Sequence, residues 1–284
     1  MSETTPPDRR SIVVLGVGVL AAAAGCSSRE VRTSVTSPPE PPPSATAPSS
    51  ALPLTRAEAV ERFGRQPSGP FGTAVPGVVS HLTPGTKGVA LTFDACGGPG
   101  GGDGYDHALI AALRHHQVRA TLFLNTRWIA ANEAIAAELV ADPLFELANH
   151  GHRHLPLSVA GRSAYGIRGT RSIGEAYDEI AAASQWFIDH TGGLPRWFRP
   201  GTAHTDRACA RMARALGQPI AGFAVNADAG ASLPADSVTT AMLTAQAGDI
   251  VIGHLNRPAG GTAEGVSAAL PQMLERGTRF VTLG

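Results

Sequence analysis

The sequence predicts an α/β fold, an irregular, incomplete (β/α) barrel with about seven parallel strands. Three observations lead there. Beyond residue 85, short apolar runs alternate with longer amphipathic ones, the pattern of parallel strands covered by helices. The 284 residues leave room for one barrel-type domain, which takes about 200–250. The reactive side chains fall just after the apolar runs, at the ends that face one common mouth in parallel folds. An open doubly wound sheet shares this alternation and is the alternative architecture.

In chain order, the first segment reads as an export signal of residues 1–25: Arg9 and Arg10, the apolar run Ile12–Ala24, then small residues before Cys26. The run falls short of the roughly 20 apolar residues of a comfortable membrane span. "AAGC" (23–26) resembles a bacterial lipoprotein lipobox, which makes Cys26 the expected lipidation site. The paired arginines also resemble a twin-arginine signal, and a plain secretory signal is the simpler alternative. Residues 26–53, with "SPPEPPPSATAPSS", bury too little apolar surface to offset their ordering entropy and are expected to form an extended tether. The remaining domain, 54–284, opens on a short helical pattern, "TRAEAVERFG" (55–64).

Seven runs then read as strands: "GVALTF" (88–93), "RATLFLN" (119–125), "FELANH" (145–150), "RWFRPG" (196–201), "IAGFAVNA" (220–227), "DIVIGH" (249–254) and "RFVTL" (279–283). Helical patterns between them are "YDHALIAALRHHQ", "NEAIAAELVA", "IGEAYDEIAAASQWFIDH", "DRACARMARALG" and "AEGVSAALPQMLERG". The glycine run "CGGPGGGDGYD" is not a phosphate loop, because no Lys-Ser/Thr follows it. It reads as a loop at the active site.

Lys+Arg and Asp+Glu both number 23, so the net charge is zero and no basic footprint for nucleic acid appears. Uncharged partners are favoured. Cys96 and Cys209 are the two cysteines of the domain and leave a disulfide open in an exported chain.

The chemistry begins with His150 and His154. At a spacing of four just past a strand they can reach one ion, and neutral imidazole is a favoured zinc ligand; a solvated polar loop is the bland reading of the same spacing. His152, between them, is expected at the rim. Asp94, Arg199, Asp228 and His254 fall at the ends of four other runs.

Taken in order, "LTFDA", "NHGHRH", "FRPG", "NAD" and "DIVIGH" resemble the five motifs of the polysaccharide deacetylases, carbohydrate esterase family four or the NodB-homology domain, over residues 85–284. The resemblance implies an incomplete (β/α) barrel and hydrolysis of acetyl groups on a glycan. It implies Asp94 as general base, Arg199 as its orienting partner, His150 and His154 as ligands of a divalent metal, and His254, tuned by Asp228, as general acid. It also implies a backbone N–H, that of Thr202, at the oxyanion. Zinc is the expected metal and cobalt the alternative.

Two departures stand out. The family's second aspartate, a metal ligand, is Ala95 here. The third-ligand candidates are Asp94 itself, Asp103, Asp106 and Cys96, with Asp94 or Asp106 ranked ahead of Cys96. The aromatic residue after the Arg–Pro motif is also missing, leaving Thr202 and His204, with His152, as candidate substrate contacts.

The expected function is removal of N- or O-linked acetyl groups from a cell-envelope polysaccharide such as peptidoglycan. The expected place is the outer face of the cytoplasmic membrane, through a lipid anchor. The competing reading is a non-catalytic glycan-binding lipoprotein that kept the fold and lost the metal.

Overall fold

The computed structural model describes residues 50–100 and 102–284. The expected export signal, Cys26 and the tether as far as residue 49 lie outside the described residues. Apolar runs extend as β1 (Val89–Ala95), β2 (Ala120–Leu124), β3 (Phe145–Asn149), β4 (Ile220–Ala221), β5 (Val225–Asn226), β6 (Ile250–His254) and β7 (Phe280–Val281). The main sheet runs β5-β6-β1-β2-β3 with β7 on the first residues of β1, and every one of these pairings is parallel.

Every residue of β1 and β2 is buried, as a parallel sheet covered on both faces requires. The two-residue period of β1 divides its side chains between two cores. Val89, Leu91, Phe93 and Ala95 pack outward with Leu109, Val266 and their neighbours on helices. Ala90 packs inward with Phe123, Ala148 and Ile250. Thr92 and Asp94 share the parity of Ala90 and therefore face the barrel interior.

The sheet closes irregularly. Phe198 bridges Asn149 at the end of β3 on one side and Ile220 of β4 on the other, and the segment then reaches β6 through β5. Two of the seven expected strands differ from expectation. The run 196–201 forms single bridges at Phe198 and no ladder, since Pro195 and Pro200 bracket it and offer no backbone N–H. The run 220–227 splits in two, because the carbonyls of Ala221 and Gly222 turn toward the Arg199 guanidinium, at 3.1 and 3.0 Å, instead of toward a neighbouring strand. Gly222 is also pressed on Val78, where a Cβ would sit 2.5 Å from Cγ1.

Around the strands lie α1 (Arg56–Phe63), α2 (His107–His115), α3 (Thr126–Ala131), α4 (Glu133–Ala141), α5 (Ile173–Thr191), α6 (Arg207–Ala215), α7 (Ala235–Leu243) and α8 (Thr262–Glu275). Their starts follow local chemistry. Thr55 and Glu58 make a capping box on α1, and Asp106, Ser172 and Asp206 cap α2, α5 and α6. α5 stops at Gly192, whose φ of 78° is the left-handed conformation glycine adopts without strain.

The helical patterns read from the sequence omit α3 and α7. α3 has six residues, and α7, "ADSVTTAML", carries three consecutive β-branched residues that weaken its propensity. Packing overrides that weakness: a Cβ at Gly265 of α8 would lie 2.5 Å from the Val238 Cβ, so the two helices meet nearly backbone to backbone. Cys96 and Cys209 are both free, Cys96 just past β1 and Cys209 buried on α6. Among the described residues no helix is long and apolar enough to cross a membrane.

Candidate metal centre and hydrolytic site

The carboxyl ends of the parallel strands carry the polar side chains. Asp94 and Cys96 follow one another on the inward parity at the end of β1, and register sets Asp94 beside His254 of β6. Arg199 is fully buried and satisfied on every side. Its Nη1 donates to Asp94 Oδ1 at 2.8 Å and to Thr92 Oγ1 at 2.9 Å, its other nitrogens take the Ala221 and Gly222 carbonyls, and its guanidinium lies 4.1 Å from the Phe123 ring centre. Asp94 is thereby held by one oxygen, while Oδ2 lies 3.6 Å from His150 Nε2. Burial pushes the Asp94 carboxyl up, but Arg199, His150 and His254 outweigh it and hold the carboxyl below its ordinary range.

His150 follows β3. Its Nδ1 donates to the Arg199 carbonyl at 2.8 Å, which fixes the tautomer and turns Nε2 toward Cys96 Sγ at 3.6 Å. The His154 ring stands edge-on to it, with centroids 4.8 Å apart. His154 has a φ of 62°, and Gly201 is pressed on its carbonyl, where no Cβ fits. The turn between the two histidines is organised from α5. The buried Glu179 accepts the backbone N–H of Arg153 at 2.8 Å and of Leu155 at 3.2 Å through Oε1, and its own carbonyl accepts from His152 N.

Asp228, just past β5, grips His254 twice, accepting from the ring Nδ1 at 2.9 Å and from the backbone N–H at 2.7 Å. Thr262 and Gly230 donate to the same carboxylate. Burial pushes the His254 imidazole down, but Asp228 and Cys96 outweigh it and raise it well above its ordinary value. Burial likewise pushes the Cys96 thiol up, yet His150, His154 and His254 around it hold it well below the usual thiol range.

Cys96, His150 and His154 each offer one donor atom, and those atoms lie within 4.8 Å of one another. One sulfur and two imidazole nitrogens suit zinc. With Zn–S about 2.3 Å and Zn–N about 2.0–2.1 Å, a tetrahedral pair of such donors lies about 3.6 Å apart, the separation found between Cys96 and His150. The residues therefore fit a divalent metal.

The ranking of third ligands changes accordingly. Asp94, bound to Arg199, does not join that cluster. Asp106 caps α2 by accepting from Leu109 N at 3.1 Å, and Asp103 accepts from Gly98 N at 2.6 Å. The competition among these carboxylates for backbone N–H groups is not visible in sequence spacing.

His152 is exposed at the rim, with Nδ1 2.9 Å from Thr126 Oγ1. Thr202 has a φ of 62° and a buried Oγ1 with no partner, and its carbonyl lies 2.6 Å from His204 Nδ1. His204 in turn sits between the rings of Phe71 and Tyr165, each 5.5 Å away. Glu179, Thr262 and Thr92 escape the sequence reading. Thr92 was discernible from strand parity with Asp94; the other two lie on helices with no local signal. A cavity of about 650 Å³ opens at the other end of the strands, beside Lys87 and Arg276, and holds none of these groups.

Comparison with known proteins agrees with this architecture. Residues 81–221 match the family model of the polysaccharide deacetylases. The uncharacterized protein YlxY of Bacillus subtilis (strain 168) is 23% identical over 183 residues, 64% of this chain and 53% of its own, so the match spans about half of that relative. Wild-type BA3943 of Bacillus anthracis, described as a CE4 family pseudoenzyme, superposes with a TM-score of 0.59 at 21% identity, over 74% of this chain and 67% of its own. The Bc1960 peptidoglycan N-acetylglucosamine deacetylase does so at 0.60 and 21%, over 81% and 95%. These structural likenesses are likenesses of fold, and the matching family model assigns residues 81–221 to the polysaccharide deacetylases.

Proposed function

We propose that the chain is a metal-dependent hydrolase that removes acetyl groups from a cell-envelope polysaccharide, with peptidoglycan the favoured substrate. The observation that carries this is the pairing of two separate couples, Asp94 with Arg199 and Asp228 with His254, around the Cys96–His150–His154 cluster. A divalent metal held by His150 and His154, zinc before cobalt, would supply Lewis acidity that lowers the pKa of water and polarises an acetyl carbonyl.

The chain's own groups do the rest. Asp94 Oδ2, free of the Arg199 contact on Oδ1, takes the proton of the attacking water. The Thr202 N–H donates to the oxyanion as the carbonyl becomes tetrahedral. His254 donates its Nδ1–H to Asp228, whose carboxylate favours the cationic ring, so Nε2 gives a proton to the departing amine or alkoxide. Acetate and the free sugar amine or hydroxyl result. His204 and the exposed His152 line the approach as substrate contacts.

The same proposal places the domain outside the cytoplasmic membrane, tethered by residues 26–53 to a lipid on Cys26. Labelled palmitate that is incorporated by the wild type and not by Cys26→Ala supports this anchor; label that survives the substitution removes it.

A second reading, a glycan-binding lipoprotein without catalysis, is favoured by one specific feature, Ala95 at the family's ligand aspartate, and by the fold likeness to BA3943. The full chain incubated with zinc or cobalt and acetylated peptidoglycan, chitin or O-acetylated fragments separates the two. Metal-dependent acetate release, lost in His150→Ala, is expected. Release that is independent of metal, or unaltered by the substitution, defeats the hydrolase mechanism, and retention of glycan without release supports the binder.

A further inference from the structure

We infer that Cys96 is the third metal donor of this chain, a thiolate standing in for the family's aspartate from a position one residue further along. The inference rests on the proposed metal dependence and adds to it the identity of the donor and the class of metal it selects.

The pleat of β1 makes the argument. The strand stays regular to its end, since Ala95 still pairs with Leu124 of β2. Side chains therefore alternate through Ala95. Asp94 points inward to Arg199, while Ala95 is fully buried with Leu91 and Phe93 in the outer core. Ala95 carries no ligating group and packs in that apolar layer, so it supplies no donor at the mouth.

Position 96 returns to the inward parity, and its sulfur lies 3.6 Å from His150 Nε2. Backbone contacts fix it there. Arg127 Nη2 donates to the Cys96 and Gly97 carbonyls at 3.3 and 3.2 Å, and Gly97, with a φ of 67°, is pressed against the Trp128 backbone where no Cβ fits. Asp94, Asp103 and Asp106 each have one oxygen bound elsewhere, Asp228 holds His254, and none of these carboxylates belongs to the cluster that Cys96 forms with His150 and His154. One soft sulfur with two imidazoles selects zinc, or cobalt as its substitute, over magnesium or manganese. It also leaves a thiol that bound metal shields from alkylation.

The test is metal binding by the full chain, with no substrate present. Wild type is expected to bind one zinc, and its cobalt form to show the near-ultraviolet sulfur-to-cobalt charge-transfer band. Cys96→Ser should lose that band and at least about 100-fold in zinc affinity, beyond the ~10–100-fold cost of losing an outer partner. Cys96→Asp should keep the metal without the band, which guards against a folding artefact. A wild type that takes up no metal, or cobalt bound without the band, overturns the inference. A chain that binds zinc through Cys96 yet releases no acetate keeps this inference and sinks the hydrolase reading instead.

Discussion

Asp228 holds His254 by two separate hydrogen bonds, one to the ring Nδ1 and one to the backbone N–H, so a single carboxylate sets both the place of the imidazole and its proton. A carboxylate that only positioned the ring could be replaced by an isosteric amide at little cost. One that also keeps the imidazole charged could not.

Asp228→Asn therefore tests the proton. Burial lowers the His254 imidazole, but this partner, with Cys96, raises it well above normal and favours its acid form. Without it, the alkaline limb of the rate profile should move to lower pH and acetate release should fall about 10²–10⁴-fold, the scale of general acid catalysis. The linked stability runs the same way. The stabilisation from the raised imidazole is fully present below its unfolded pKa of about 6.5 and is lost as pH rises through the folded value. An alkaline limb that stays in place in Asp228→Asn contradicts this account.

Arg199 tests the base. Its removal leaves Asp94 buried and unpaired, which typically costs about 3–5 kcal/mol, so Arg199→Ala should unfold at markedly lower urea concentration. Arg199→Lys keeps the charge but cannot reach Asp94 and the Ala221 and Gly222 carbonyls together. It should recover part of the stability and little of the activity. Urea titrations of both variants, with acetate assays, check this.

Glu179 is a positioning residue that touches no substrate. It ties down the turn carrying His154 through the N–H groups of Arg153 and Leu155. Glu179→Ala strands those donors at about 1–3 kcal/mol and should weaken zinc binding by about 10–100-fold, as outer partners of a metal do. Glu179→Gln keeps an acceptor oxygen and should restore most of the affinity. Equal zinc affinity in all three proteins would rule the positioning role out.

The two domain thiols should differ in reactivity. Cys96 is partly open and held well below the usual thiol range by the imidazoles around it, whereas burial and Asp206 push Cys209 well above. Iodoacetamide at neutral pH should modify Cys96 in metal-free protein and reach Cys209 only after denaturation, as peptide mass spectrometry will read. Labelling of Cys209 first would reverse the assignment.

The fold class and the strand-end positions of Asp94, His150, Asp228 and His254 were legible in the chain alone, because hydrophobic period is local. The placement of these four residues at four strand ends is also a sequence property once parallel strands are granted. Tertiary structure decided what no spacing records. Arg199 draws two carbonyls away from a strand and splits the 220–227 run, Glu179 reaches across from a helix to hold the histidine turn, and Asp106 spends its carboxylate on a helix start while Cys96 meets His150. Each is a competition for hydrogen bonds or space between groups distant in sequence, and such competitions are resolved only when the chain closes on itself.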